Sequence, residues 1–154
     1  MTLSFTIFLD KKILIEPICF FKFYAALSRF SIPHILMKSL FICYPKCSTC
    51  QKAGKWLDEH GVAYTQRHIV EENPTYEELK KWHALSGLPL KKFFNTSGML
   101  YKEMKLKDKL PTMSEDEQLQ LLATNGMLVK RPLAVTDDMV LVGFREAEWA
   151  KLTE

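Results

Sequence analysis

From residue 38 onward, short apolar runs alternate with longer segments in which apolar residues return every three or four positions, the pattern of strands interleaved with helices. Leu40-Phe41-Ile42-Cys43-Tyr44 is the first apolar run, and its β-favouring side chains and the closing Pro45 predict a buried strand. After the turn Pro45-Lys46-Cys47-Ser48, the spacing of Ala53, Trp56 and Leu57 predicts a helix to about His60, with Gly61 as its stop. Val62 to Ile69 reads as a second strand with an imperfect apolar side. A β-α-β unit of this kind places its strands parallel through a right-handed crossover.

The next helix opens at Thr75, where Glu78 three residues on completes the spacing of a capping box, and Leu79, Trp82, His83 and Leu85 carry it to Ser86-Gly87. Two more helical pieces are predicted, at Lys91 to Phe94 and from Ser114 to Ala123, the latter with Glu117 at the box position and Met113, Leu119, Leu121 and Leu122 as packing face. Leu133-Ala134-Val135 and Met139 to Val142 flank Thr136-Asp137-Asp138 as a hairpin. Gly143-Phe144 closes it, and Glu146 to Leu152 forms a terminal helix with Trp149 facing inward. The prediction is an α/β sheet with a large helical block between its halves, and no internal repeat.

Composition narrows the class. A chain of 154 residues, 47% hydrophobic and 25% charged, builds one sizeable core and is a folded rather than a disordered protein. The net charge of +3 is spread, since lysines alternate with acids in Glu77, Glu78, Lys80, Lys81 and in Lys102, Glu103, Lys105, Lys107, Asp108. That is a solvated surface rather than the concentrated basic face of direct nucleic-acid binding.

Residues 1–37 break the order. Their Phe, Ile and Leu are interrupted by Asp10, Lys11, Lys12, Glu16, Lys22 and Arg29, so no run reaches the length of a membrane-spanning helix, and the order of a secretory signal is not kept. Three readings stand: upstream sequence preceding a natural start at Met37, a true N-terminal extension packed on the domain or a partner, or a membrane-surface helix around Ile18 to Phe30. The domain is placed at residues 38–154.

The chemistry concentrates at Cys47-Ser48-Thr49-Cys50. Between a strand and a helix, Cys47 falls at the helix N-terminus, where free N–H groups and the positive end of the dipole favour a thiolate, and Cys50 lies one turn in on the same side. This points to a redox pair; half a zinc site or inert thiols are the competing readings, the former short of a second ligand pair. Cys43, on the strand, reads as a small buried apolar residue. Clustering of all four cysteines in the first third of the chain suggests a reducing, cytoplasmic compartment rather than a disulfide scaffold. Arg131-Pro132 precedes a short strand, where either a cis proline turns the guanidinium towards the cysteine loop or a trans proline leaves a surface arginine. His34, His60, His68 and His83 read as structural or exposed.

Taken together, Tyr44-Pro45-Lys46-Cys47-Ser48-Thr49-Cys50, Lys92-Phe93-Phe94-Asn95-Thr96-Ser97-Gly98 with Tyr101, Met113-Ser114, Gly126 to Leu133 and Val142-Gly143-Phe144 resemble the arsenate reductase-like family that includes the Spx and MgsR regulators. The resemblance covers about Lys38 to Trp149. It implies a thioredoxin-like fold with an inserted helical subdomain, a cis proline at Pro132 and Cys47 as nucleophile. In the arsenate-reducing branch, arginines hold the oxyanion. Arg131 matches one of them, whereas Lys92, Phe93 and Phe94 stand where a second is expected and Gly143-Phe144, with Arg145 beside them, where the last is expected, so arsenate reduction is expected to be poor or absent. In the Spx-like branch, the two cysteines form a regulatory disulfide, an arginine before the proline steadies the oxidised loop, and the protein binds the RNA polymerase alpha subunit. The expectation is therefore a thiol-disulfide redox protein using Cys47, Cys50 and Arg131, with thioredoxin, glutaredoxin or a low-molecular-weight thiol as reductant and no cofactor, metal or membrane. A redox-sensing regulator is the alternative.

Overall fold

A computed structural model describes residues 39–153. The readings of residues 1–37, and of His34 among them, lie outside the described residues.

Strand β1 (Ser39–Cys43) is followed by helix α1 (Ser48–Glu59) and strand β2 (Tyr64–His68), and β1 and β2 pair in parallel with Phe41 opposite Gln66. Strands β3 (Leu133–Val135) and β4 (Val140–Val142) form the expected hairpin. The sheet order is β2-β1-β3-β4, with β1 to β3 and β3 to β4 antiparallel. Helices α2 (Tyr76–Ser86), α3 (Met99–Glu103), α4 (Leu106–Lys109) and α5 (Glu115–Thr124) form the block inserted between β2 and β3, and α6 (Glu146–Trp149) closes the described chain with a single 3-10 turn to Thr153. This is the α/β thioredoxin-like fold with helical elaboration anticipated from the sequence.

Both predicted capping boxes are present. Thr75 and Ser114 accept from the N–H groups of Glu78 and Glu117, whose carboxylates accept in return from the capping residues' N–H groups. Gly61 and Gly87 end α1 and α2 with φ of +64° and +62°, conformations that only glycine adopts freely. The segment predicted as helical at Lys91–Phe94 is a 3-10 turn over Leu90–Phe93, and α3 and α4 were not anticipated. Their junction is Lys105, a lysine at φ +53°.

Side-chain alternation gives the sheet two different faces. Ile42, Leu133, Val135 and Val140 face the inserted block with Leu79, Phe93, Phe94 and Leu122. Phe41, Cys43 and Ala134 face α1 and α6 with Cys50, Ala53, Trp56, Leu57 and Trp149. Trp149 is fully buried edge-on to Phe41 and Trp56, and its indole N–H donates to the Gly143 carbonyl at 2.9 Å. One closing helix thereby holds both the end of the hairpin and the side of α1. Among the described residues no helix is long and apolar enough to cross a membrane.

Candidate functional site

The site begins where β1 stops. The Cys47 N–H donates to the Tyr44 carbonyl at 2.9 Å, closing a tight turn, and the Gln51 side-chain amide reaches back to the Pro45 carbonyl at 2.8 Å. That turn delivers Cys47 as the residue capping α1, with extended backbone. Its sulfur makes no full capping hydrogen bond, but the free N–H groups of the first turn lie towards it.

The two cysteines of the motif occupy different environments. Cys47 is half-buried, while Cys50, one turn further in, is 3% exposed and accepts from the Tyr44 N–H at 3.4 Å. Burial alone pushes the Cys47 thiol up. The Cys50 N–H and thiol, the Thr49 N–H and the Arg131 guanidinium all favour the thiolate, outweigh that penalty and hold Cys47 below the ordinary thiol value. Burial, reinforced by the neighbouring Cys47 and Cys43 sulfurs, pushes Cys50 up to about 12 in spite of the Tyr44 N–H. Cys43 is likewise raised, by burial first and by Cys47 second. The described cysteines are free thiols. Cys47 is thus the thiol that ionises first, and Cys50 is a protonated neighbour within its reach.

Arg131 arrives from the other end of the domain. The Arg131–Pro132 peptide is cis, the first of the two alternatives left open by the sequence, and the guanidinium turns back over the cysteine loop. Its carbon lies 5.0 Å from the centre of the Tyr44 ring, and one nitrogen donates to the Met127 sulfur at 3.3 Å. The Asn95-Thr96-Ser97-Gly98 segment supports this arrangement from behind. Asn95 is buried, its N–H donates to the Leu128 carbonyl at 2.7 Å, its side chain donates to the Met127 carbonyl at 3.2 Å, and Phe94 bridges Val129.

Cys47, Cys50 and Arg131 therefore converge. Tyr44 and Met127, which hold Arg131, were not singled out from the sequence for that role: both depend on the β1–β3 register and the path of the chain into Pro132. Lys92 and Arg145 do not join the cluster; they line a separate groove beside β4 whose walls contain neither cysteine. His60 stacks on Trp56, His83 packs at right angles to Phe93, and His68 accepts from the Val70 and Glu71 N–H groups while its ring lies 5.6 Å from that of Tyr44.

Comparison with known proteins gives a concordant result. The ArsC family profile matches residues 43–152. The chain is 58% identical to the uncharacterised protein YusI of Bacillus subtilis over 73% of this chain and 96% of that one. It is 31% identical to the regulatory protein MgsR of the same organism, over 74% of this chain and 89% of MgsR. Among solved structures it resembles a putative ArsC family related protein from Bacteroides fragilis, with 68% identity, a TM-score of 0.74 and coverage of 76% of this chain and 98% of the other. It also resembles a possible arsenate reductase from Streptococcus mutans, with 45% identity, a TM-score of 0.66 and coverage of 70% and 91%.

Proposed function

The chain belongs to the ArsC family, and on that premise we propose that residues 38–154 act as a cytoplasmic thiol-disulfide redox domain in which Cys47 is the nucleophile, Cys50 the resolving thiol and Arg131 the group that stabilises the Cys47 thiolate. The observation that carries this reading is the asymmetry of the pair: one half-buried thiol held low, one buried thiol held high, a single helical turn apart.

The Cys47 thiolate attacks one sulfur of a substrate disulfide, forming a mixed disulfide and expelling the other sulfur as a thiolate. Cys50 gives up its proton, attacks the Cys47 sulfur and releases the second substrate thiolate, leaving a Cys47–Cys50 disulfide. Two electrons from thioredoxin, glutaredoxin or a low-molecular-weight thiol restore the dithiol. Arsenate is a poor substrate on this reading, because Arg131 is the one arginine beside Cys47 among the described residues while Lys92 and Arg145 line another groove.

The similarity to MgsR supports a second reading, in which the same disulfide changes affinity for a protein partner such as the RNA polymerase alpha subunit instead of turning over substrate. Incubation with a small disulfide and excess reductant separates the two. Many turnovers per protein support the enzyme. One stoichiometric oxidation, with binding to the alpha subunit's C-terminal domain that differs between dithiol and disulfide forms, supports the regulator. Absence of both, with ordinary reactivity at Cys47, sinks the redox proposal.

A further inference from the structure

Beside β4 runs a groove of about 750 Å³ whose lining contains neither Cys47, Cys50 nor Arg131. Lys91, Lys92, Lys130, Arg145 and Lys151 line it, against the single carboxylate of Glu148, which is already paired with Arg145 at 2.7 Å. The four lysines have no carboxylate partner among the described residues. Phe94 and the strand Val140–Val142 supply an apolar wall between these charges.

The strand in that wall is the edge of the sheet; Val140 is 5% exposed and Val142 half-buried, and the backbone groups that the ladder leaves unpaired can be identified. Hydrogen-bonded and non-bonded pairs alternate along an antiparallel ladder. Gly143 donates to the Pro132 carbonyl at 2.8 Å and Thr136 to the Met139 carbonyl at 2.9 Å, and stepping inward two residues from each brings Leu141 to face Ala134 in β3. Val140 and Val142 accordingly turn their N–H and C=O groups away from β3, and neither has another backbone partner among the described residues.

We propose that the β4 edge is a docking site for an extended acidic peptide segment of a partner protein, which adds a fifth strand to the sheet through Val140 and Val142 while its carboxylates meet Lys91, Lys92, Lys130 and Lys151. The backbone selects this occupant over a small anion. The outward carbonyls require N–H donors at strand spacing, and a phosphate or free carboxylate has none to give. The lysine rim selects an acidic strand over a neutral or basic one and over a second copy of the same edge, whose lysines would meet these across the pairing.

The test uses the full-length protein and a fluorescent peptide of alternating glutamate and valine at near-physiological salt, with binding read by anisotropy and hydrogen exchange read at the Val140 and Val142 amides. Binding is expected to slow exchange at both amides, and to weaken by at least about tenfold with a central proline in the peptide or with Lys92→Glu and Lys130→Glu together. A lysine-valine peptide is expected not to bind. The proposal is overturned by no binding of the acidic peptide, by equal binding of its proline form, or by amides already protected in the free chain, which would mean that the edge is covered by this chain itself or by a second copy.

Discussion

The Arg131 guanidinium carbon stands 5.0 Å from the centre of the Tyr44 ring, so the cation that favours the Cys47 thiolate rests on the residue that begins the cysteine turn. The aromatic face restrains a charge that would otherwise sample many rotamers, and the Met127 sulfur accepts from one of its nitrogens. Replacing Arg131 with methionine is expected to move the pH midpoint of Cys47 alkylation upward, towards that of an ordinary thiol. Tyr44→Leu should move it in the same direction by less. An unchanged midpoint in both variants would remove Arg131 and Tyr44 from the site.

Selectivity among the thiols follows from burial and ionisation together. In a Cys19→Ser background, which removes the cysteine outside the described residues, iodoacetamide at neutral pH is expected to add one equivalent, mapped by mass spectrometry to Cys47. Cys43 and Cys50 should react only after denaturant exposes them. Rapid modification of Cys50 in the native protein would contradict its raised pKa and its burial.

Away from the cysteines, Arg67 donates to both carboxylate oxygens of Glu78, at 2.6 and 3.1 Å, and also to the Glu72 and Asn73 carbonyls. Burial pushes the Glu78 carboxyl up, but Arg67 and the Thr75 cap outweigh it and hold it below the usual value. A carboxyl lowered in the folded state stabilises fully above its unfolded pKa of about 4.3 and loses that contribution as pH falls through the folded value. Glu78→Gln should therefore cost about 1 kcal/mol at pH 7, the size expected of a part-exposed pair, and progressively less below about pH 4. Urea denaturation of both proteins across that range checks the convergence.

Two glycines are expected to respond oppositely to a methyl group. At Gly54, inside α1, an added Cβ meets the Phe41 ring at 3.6 Å, an ordinary contact, so Gly54→Ala should stabilise by about 0.5–1 kcal/mol through helix propensity. At Gly126 the same atom would collide with the Ile69 carbonyl group. Gly126→Ala should cost about 3 kcal/mol or more, because a backbone crossing has no flexible side chain to give way. Thermal melts of the two variants moving in the same direction would refute this contrast.

What the sequence revealed and what it hid divide by range. Capping at Thr75–Glu78 and Ser114–Glu117, the turn before α1 and the glycine stops are written within a few neighbouring residues, and each appears as predicted. Cys47 and Cys50 were legible for the same reason, since one helical turn fixes their relation. Helices α3 and α4 were obscured because each is short, the charge alternation around them lacks a clear apolar stripe, and a lysine rather than a glycine takes the positive φ between them. The clamp on Arg131 was the least legible part: it joins Tyr44 to residues far along the chain, and only the strand register and the bend at Pro132 bring them together. The segregation of Lys92 and Arg145 into a different groove belongs to the same long-range class.

The two faces of the sheet also divide the molecule optically. Trp56 and Trp149 lie in the cluster that contains Cys43 and Cys50, whereas Trp82 lies in the cluster on the opposite face. If the Cys47–Cys50 pair cycles as proposed, a Trp82→Phe variant is expected to report the change through Trp56 and Trp149, which share the face of the sheet that holds Cys43 and Cys50.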